Sequence, residues 1–468
     1  MLKQLRIQNF KGWKDTDTIR MAPISLFFGA NSSGKSSIGQ FLMMLKQTVE
    51  SADRKAVFFL GGKNNAVQLG SYQEMVFRRD PGKKIVFDYR WTLSDTMKFK
   101  DPASEQSYSG DELAFMAEVG LDDKDQFLLV LNELKYELIG DEETKLSLGM
   151  KRKTETKSNY QVEASKYFLK RKQGRVWFPD APVRFYGFPD EVVAYYQNAD
   201  FVQALNLRHE KLFESLCYLG PLRTKGERLY SWSGSKPEHV GYTGENTVAA
   251  ILAARKRRIS TGFKKRAKPF EEIIANALKQ LSLIEDFSVK RISDQRQEYE
   301  VKVRTKGSED WVDLPDVGFG ISQVLPVLVQ CFYAPVGSII LMEQPEIHLH
   351  PNAQSALADV MIDVINSREN GVDRNIQLVI ETHSEHFLRR LQRRIAEDTI
   401  SQDKVSAYFA NIAKAPATLE PLQIDEFGNI KNWPKNFFGD EMGDIIGQSR
   451  AAMRKRIQQK EKKVTAPE

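Results

Sequence analysis

The most constraining feature of this sequence is an eight-residue segment, residues 29–36, that follows the pattern G-x-x-x-x-G-K-S. An apolar stretch over residues 24–28 precedes it, and residues 38–49 carry apolar side chains at helical spacing. A glycine-rich turn between a strand and a helix lets amide N–H groups converge on a phosphate, and the helix N-terminus adds partial positive charge. The pattern and its flanking elements therefore predict a phosphate-binding loop rather than a chance glycine turn.

The side chains of residues 29–36, the phosphate loop, have distinct expected roles. We expect the Lys35 ammonium to contact the phosphates and the Ser36 hydroxyl to ligate Mg²⁺. The other residues that we expect to contact the nucleotide lie in the same turn or directly after it: Gly29, Asn31, Ser32, Ser33, Gly34 and Ser37.

A metal ion at such a loop also needs a carboxylate, which a second buried strand delivers. Residues 338–342 form an apolar stretch that runs directly into Glu343, Gln344, Pro345 and Glu346. Acidic residues that follow an apolar strand are typical of the carboxyl edge of a parallel sheet, where ligands bind. The alternative is a core strand that ends in a solvated acidic turn.

Two further segments are candidates for contacts with phosphate. Residues 316–323, here called the signature segment, form a glycine-flanked turn before a helix expected over residues 324–332. The turn is either a second group of amides that faces a phosphate or an ordinary turn. His383 follows an apolar strand over residues 377–380, from which it can reach a γ-phosphate, although a histidine there is also common as a structural residue.

The order of predicted elements favours an α/β fold, because strands alternate with helices expected over residues 352–366 and 384–397. Residues 56–215 have the pattern of short strands and turns, and residues 245–284 contain two expected helices. We predict four parts: the first part of a phosphate-binding head over 1–95, a β-rich insertion over 96–220, a helical and basic subdomain over 221–310, and the remainder of the head over 311–468.

Composition narrows the class of protein. A hydrophobic share of 41% excludes a disordered chain, and two cysteines exclude a disulfide framework. The longest apolar runs fall short of the ~20 residues that a membrane span needs. The net charge of +6 does not by itself indicate nucleic acid. We therefore expect a soluble cytoplasmic protein that makes no membrane contact.

The segments FGANSSGKSS, DVGFGISQVLPVLVQ, LMEQPEIHLHP and VIETHSEHFLRRLQRR, with FGNIKNWPKNFF near the end, carry a resemblance to known proteins. They resemble the ABC-type ATPases of the SMC, RecF and OLD branch, and more closely the bacterial AAA-family ATPases that end in a DUF3696-type segment. The resemblance covers residues 1–80 and 311–445. It implies an ABC-type head with a mostly parallel core sheet, an antiparallel β subdomain and an inserted β-rich and helical region.

The resemblance also implies how the site is assembled. Two chains would form a head-to-tail sandwich, with ATP and Mg²⁺ on one phosphate loop and the signature segment of the other chain above them. His383 occupies the position of the switch histidine, and either Gln68 or Gln73 that of the Q-loop glutamine. The signature residues that would contact the nucleotide are Gly318, Gly320, Ser322 and Gln323.

This sequence departs from the family pattern at one important position. Aligned on Pro345, Glu343 is the acid that holds Mg²⁺, and Gln344 occupies the place of the usual catalytic glutamate. Glutamine orients water but is a far weaker base than a carboxylate. We therefore expect either slow hydrolysis or a substitute base at Glu346.

Three functional hypotheses follow. In the first, which the resemblance implies, the ATPase oligomerises and regulates a separate effector, such as a nuclease in anti-phage defence. The sequence itself shows neither a nuclease motif after residue 400 nor the heptads of a long coiled coil. In the second, a RecF-like ATPase binds DNA or RNA through a basic cluster. The third is a scaffold that binds ATP without hydrolysis. The basic cluster comprises Arg255–Arg258, Lys264, Lys265, Arg266 and Lys268.

The histidines suggest one other type of site. His348 and His350, together with His383 and His386, have spacings that a transition metal accepts. We disfavour such a site, because these residues lie in segments that the ATPase hypothesis already explains.

Overall fold

The computed structural model describes residues 1–125, 127–153, 160–174, 179–305, 307–411, 416–434, 437 and 446–455, so that the segment FGNIKNWPKNFF lies partly outside the described residues. The strands up to residue 219 are β1 (Leu2–Phe10), β2 (Trp13–Asp15), β3 (Ile19–Arg20), β4 (Ile24–Gly29), β5 (Ile85–Lys100), β6 (Ser107–Leu121), β7 (Leu129–Gly140), β8 (Glu143–Arg152), β9 (Tyr160–Ser165) and β10 (Leu216–Leu219).

The later strands are β11 (Tyr230–Ser231), β12 (Arg258–Ser260), β13 (Lys268–Pro269), β14 (Asp286–Arg291), β15 (Glu298–Arg304), β16 (Trp311–Asp313), β17 (Ile339–Glu343), β18 (Arg368–Glu369), β19 (Val372–Asp373), β20 (Gln377–Glu381), β21 (Val405–Asn411) and β22 (Thr418–Pro421). The helices are α1 (Lys35–Glu50), α2 (Tyr72–Met75), α3 (Asp190–Tyr195), α4 (Phe201–Glu214), α5 (Thr247–Ala253), α6 (Phe270–Gln280), α7 (Phe319–Tyr333), α8 (Pro351–Ile365) and α9 (Glu385–Ala396). Residues 446–455 are also helical.

The sheet that carries the phosphate loop has the strand order β10-β17-β20-β4-β21-β22 within the described residues. Its neighbouring strands are parallel except for the pair β21 and β22. Parallel strands buried on both faces are almost continuously apolar, which is why residues 24–28, 339–342 and 377–380 were recognisable in the sequence. This sheet, with α1, α8 and α9 after its strands, confirms the predicted α/β fold.

A second, larger sheet corrects the expectation of one mostly parallel core. Its order is β2-β1-β5-β6-β7-β8-β9, with β3 also on β1, and every described pair is antiparallel. Short connections link β5 to β9, and they permit only antiparallel neighbours. Its strands reach 16 residues, whereas the sequence predicted short ones. β5 continues across position 95, and the four-part division remains a prediction.

Two buried side chains join the antiparallel sheet to the elements of the phosphate loop. The Gln377 side chain at the start of β20 accepts a hydrogen bond from the Leu2 amide at 2.9 Å and donates to the Leu2 and Ala22 carbonyls at 2.8 and 3.0 Å. The Trp13 indole N–H donates to the Ser37 hydroxyl at 2.7 Å. The first strand therefore contacts β20, and β2 contacts the first turn of α1.

The core between α4 and the antiparallel sheet contains a fully buried histidine, His209. The Tyr136 hydroxyl donates to the Tyr186 carbonyl at 3.0 Å, so it accepts its contact of 2.7 Å from His209 Nδ1–H. His209 Nε2 then accepts from the Tyr89 hydroxyl at 2.8 Å. Both ring nitrogens are occupied in the neutral form, and burial holds the pKa of His209 well below its usual 6.5.

We predict that His209 makes the fold sensitive to acid. The unfolded imidazole binds a proton near pH 6.5 and the folded one does not, so the free energy of unfolding falls as the pH drops below that value. The slope due to this one group is at most about 1.4 kcal/mol per pH unit. The measurement is the melting temperature between pH 8 and pH 5 for the wild type, for His209→Phe and for the matched exposed variant His386→Asn.

The expected result is a shallower dependence of stability on pH for His209→Phe alone, despite its lower overall stability. Equal slopes in all three proteins would contradict this assignment.

Candidate functional site

A cleft of about 620 Å³ opens at the edge of the sheet where β4, β17 and β20 end. It brings together most of the phosphate loop with Gln344 and His383, as the sequence predicts, and with residues that the sequence analysis did not identify. The cleft is lined by Lys11, Gly12, Asn31, Ser32, Ser33, Gly34, Lys35, Ser36, Ser37, Gln40, Gln344, Glu381, His383 and Ala417.

The phosphate loop requires glycine at both ends. Gly29 has a φ of +147°, and a Cβ there would lie 2.5 Å from the carbonyl oxygen of Ala410 on the neighbouring strand β21. Gly34 precedes α1 with a φ of +89°, and its Cβ would lie 3.2 Å from the Trp13 indole. The two glycines of the motif therefore follow from a left-handed backbone and close neighbours.

Lys35 lies folded along the phosphate loop. Its side chain is 3% exposed, and its ammonium donates to the carbonyls of Gly29 and Ala30 at 2.9 and 2.8 Å. Burial lowers the pKa of Lys35, while the charge of Glu381, whose Oε1 lies 4.0 Å away, raises it. The fold therefore places a positive charge inside the loop.

Glu381 is the acid that the sequence analysis missed. It ends β20 beside β4, and its Oε1 accepts a hydrogen bond from the Ser36 hydroxyl at 3.0 Å. Its Oε2 is buried and has no hydrogen-bond partner among the described residues. Burial raises the pKa of Glu381, and the Ser36 hydrogen bond and the Lys35 charge oppose the rise. The signal was an acid after an apolar strand, as at Glu343.

Glu343 ends β17, one strand further from the phosphate loop. Its Oε1 accepts from the Tyr218 hydroxyl at 2.8 Å, and burial and the charge of Glu381 raise its pKa. Gln344 follows with a φ of +45°, and its backbone N–H donates to the backbone carbonyl of Glu381 at 2.8 Å. Only Gln344 of this predicted pair lines the cleft.

Glu346 is buried behind the cleft and does not line it. Its Oε1 accepts from the Thr382 hydroxyl at 2.7 Å and from the backbone N–H of His383 at 2.8 Å, so the carboxylate holds the backbone at His383 in place. Burial raises the pKa of Glu346, and these hydrogen bonds lower it. His383 lines the cleft, and burial, then the Lys35 charge, lowers its pKa.

The signature segment lies outside the described cleft of its own chain. Gly318 precedes α7, and the Ser322 hydroxyl donates to the Phe319 carbonyl at 2.8 Å. The Gln323 side chain is buried and donates to the Arg223 carbonyl at 3.3 Å, and a Cβ on Gly320 would lie 2.9 Å from the His348 carbonyl. The roles of these residues at a nucleotide stay predictions.

Arg223 links the signature segment to the end of β17. Its guanidinium donates to the carbonyls of Glu343 and Gln344 at 2.8 and 3.3 Å and to that of Gln323 at 3.4 Å. Burial lowers the pKa of Arg223 to about 10, and the charge of Glu346 is the largest of the effects that oppose this shift. The buried Arg223 thus connects the end of β17 with the signature segment, the two regions that the family resemblance assigns to nucleotide binding.

The two glutamines proposed for the Q-loop position, Gln68 and Gln73, are both exposed and do not line the cleft. Gln40 on α1 does line it. Within the described residues, no group of three or more histidine, cysteine, aspartate or glutamate side chains has the arrangement of a metal site.

The basic cluster is partly engaged inside the fold. Arg257 forms a bidentate ion pair with Glu369 at 2.7 and 2.8 Å, and Lys268 forms an ion pair with Glu272 at 2.8 Å. Lys265 lies 3.3 Å from Asp363. The hypothesis of a nucleic-acid contact therefore depends mainly on its exposed members, which include Lys256, Arg258, Lys264 and Arg266.

Comparison with known proteins identifies the class. The profile of the family described as "AAA ATPase domain" matches residues 1–175 and 240–388, more than half of the chain, and the chain belongs to this family. The profile of a protein of unknown function, DUF3696, matches residues 400–446. No curated protein matched the sequence. No helix among the described residues is both long and apolar enough to cross a membrane.

Among solved structures, the chain is similar to an SMC head domain from Thermotoga maritima at 10% identity and a TM-score of 0.40, over 90% of this chain and 99% of that one. It is similar to an SMC head with an extended coiled coil, bound to the C-terminal domain of ScpA derived from Pyrococcus furiosus, at 10% identity and a TM-score of 0.42, over 90% and 96%. A third is an SMC head bound to the C-winged helix domain of ScpA, at 11% identity and a TM-score of 0.42, over 91% and 98%.

We predict that Lys35→Ala weakens the binding of a fluorescent ATP analogue at least tenfold, about 1.4 kcal/mol, because the ammonium inside the loop is lost. Lys46→Ala is the matched control. Lys46 is a second buried lysine of α1, but its ammonium binds the Phe213 carbonyl and Glu50 at the other end of the helix. Equal binding by Lys35→Ala and the wild type would show that the loop is not the nucleotide site.

Proposed function

We propose that this chain is an ABC-type ATPase of the SMC and RecF kind that binds ATP with Mg²⁺ and hydrolyses it slowly. Two chains would share each site and would together regulate a separate effector. The observation that carries the proposal is the cleft itself, in which Lys35 and Ser36 meet Gln344 and His383. A phosphate loop beside water-orienting polar groups is the arrangement that phosphoryl transfer requires.

The groups in the cleft can be assigned to parts of a nucleotide. The Lys35 ammonium and the amides of the phosphate loop would bind the β- and γ-phosphates, and His383 would contact the γ-phosphate. The residues also fit Mg²⁺. The Ser36 hydroxyl donates a hydrogen bond to Glu381, which leaves the lone pairs of the Ser36 oxygen for a cation. When bound, the metal ion would neutralise charge on the phosphates.

The position of the signature segment supports a site shared between chains. A Cβ on Gly318 would meet no described atom within 4 Å, and Phe319 is 46% exposed. The N-terminal end of α7 is thus open to a neighbour, whereas the cleft of the same chain is lined by other residues. A second chain would bring these backbone amides to the phosphate.

The effector is proposed from the family resemblance alone. We propose a nuclease partner in anti-phage defence, as the resemblance suggests. Co-purification of the tagged protein with the products of neighbouring genes, with and without ATP, tests this part. Recovery of the ATPase without any of them would contradict it.

The slow hydrolysis follows from Gln344. An amide at the catalytic position cannot take a proton from the attacking water, and Glu346 is engaged with Thr382 and His383 outside the cleft. We predict that Gln344→Glu raises steady-state phosphate release at least tenfold, because a positioned general base contributes ~10²–10⁴-fold. Lys35→Ala provides the background rate.

Glu346→Gln distinguishes the two origins of turnover. It is expected to retain most of the wild-type rate, since the amide oxygen still accepts a hydrogen bond. A loss of turnover as complete as that of Lys35→Ala, in a variant that melts at the wild-type temperature, would instead make Glu346 the base.

A further inference from the structure

The strand order places one acid closer to the phosphate loop than the sequence pattern suggests. β20 lies directly beside β4, and Glu381 is paired with Phe27, two residues before the loop begins. Glu343 lies on β17, with β20 between it and β4. Of the described residues that line the cleft, Glu381 is the only acid.

The contact of Glu381 with Ser36 has the direction that a cation site needs. A hydroxyl has one proton and two lone pairs, and here the proton points to Glu381 Oε1 over 3.0 Å. The Ser36 oxygen therefore keeps its lone pairs for a ligand on its other side. A hard oxygen ligand and an adjacent carboxylate are what Mg²⁺ prefers.

The second carboxylate oxygen of Glu381 is free to act. Oε2 is buried and has no hydrogen-bond partner among the described residues, and the Glu381 side chain is only 9% exposed. A buried and unpaired carboxylate oxygen is unfavourable unless a ligand or a cation satisfies it. Glu343 differs, because the Tyr218 hydroxyl already occupies one of its oxygens.

We propose that Glu381, together with Ser36, holds the Mg²⁺ ion of the bound nucleotide in place of Glu343. The assignment rests on the proposed binding of ATP and names the metal carboxylate of that same site. Mg²⁺ is commonly bound through one or two carboxylates plus the phosphates of the substrate, so a cage of three protein ligands is not required. Glu343 then serves as a hydrogen-bonded neighbour that adds negative charge behind Glu381.

The test is the affinity for a fluorescent ATP analogue in excess Mg²⁺ and in EDTA, measured for the wild type, Glu381→Gln and Glu343→Gln. For Glu381→Gln, we expect the gain in affinity due to Mg²⁺ to fall at least tenfold. Its affinity in EDTA should stay equal or rise, because a negative charge no longer repels the triphosphate. Glu343→Gln should keep the larger part of the Mg²⁺ gain.

Three outcomes would overturn the assignment. A full Mg²⁺ gain in Glu381→Gln excludes the carboxylate as a ligand, and an equal loss of affinity in Mg²⁺ and EDTA makes its role purely structural. Loss of the gain in Glu343→Gln alone returns the metal to Glu343. A wild type that binds no ATP in either buffer overturns the proposed function itself, so the two failures are distinguishable.

A second readout protects the test against a variant that does not fold. The spectrum of Mn²⁺ in electron paramagnetic resonance reports bound metal directly, and Glu381→Asp keeps the charge but shortens the side chain. We expect weaker Mn²⁺ binding with ATP in Glu381→Asp than in the wild type. Unchanged Mn²⁺ binding in a folded Glu381→Asp would contradict the assignment.

Discussion

The parallel pairing of β4 with β20 is the contact on which the site depends. It sets Glu381 opposite Phe27 and brings the carboxyl end of β20 against the first turn of α1. The Ser36–Glu381 hydrogen bond then joins residues 345 positions apart in the sequence. Gln344, Glu381 and His383, which line the cleft beside the phosphate loop, all come from the carboxyl ends of the neighbouring strands β17 and β20.

The site also concentrates buried charge. Glu343, Glu346 and Glu381 lie close to Lys35 and Arg223. Burial raises the pKa of the three carboxyl groups and lowers the pKa of the two cations, so it favours the neutral form of all five. Glu346 Oε2 and Glu381 Oε2 have no hydrogen-bond partner among the described residues. An unsatisfied buried group costs ~1–3 kcal/mol. Such an arrangement is expected where a charged ligand completes the network, and hydrogen bonds from Arg223 connect the end of β17 to the signature segment.

The local features of the fold were predictable from the sequence. The phosphate loop, β4, α1 and the strand and helix around Gln344 each follow from a short pattern of apolar and glycine residues. The partition into two sheets was not predictable, since strand pairing joins distant segments. The sequence indicated short strands where the structure has the long strands β5 to β8, and the burial of β5 and β6 alternates over much of their length.

The site shows the same division between local and distant information. Lys35, Ser36, Gln344 and His383 were identified by motif and meet in the cleft, whereas Glu346 was identified and lies behind it. Glu381 carried the same sequence signal as Glu343, an acid after an apolar strand. Which of the two acids reaches Ser36 depends on the strand order, and one sequence does not contain that order in any local pattern.

The central claim is that two chains share each ATP site, with the phosphate loop from one and the signature segment from the other. The most direct test co-expresses Lys35→Ala with Gly318→Asp under separate tags, purifies the mixed oligomer and measures its turnover against each variant alone. A shared site predicts recovered turnover, because one wild-type loop then faces one wild-type signature segment. Turnover no higher than that of the two separate variants would contradict the claim.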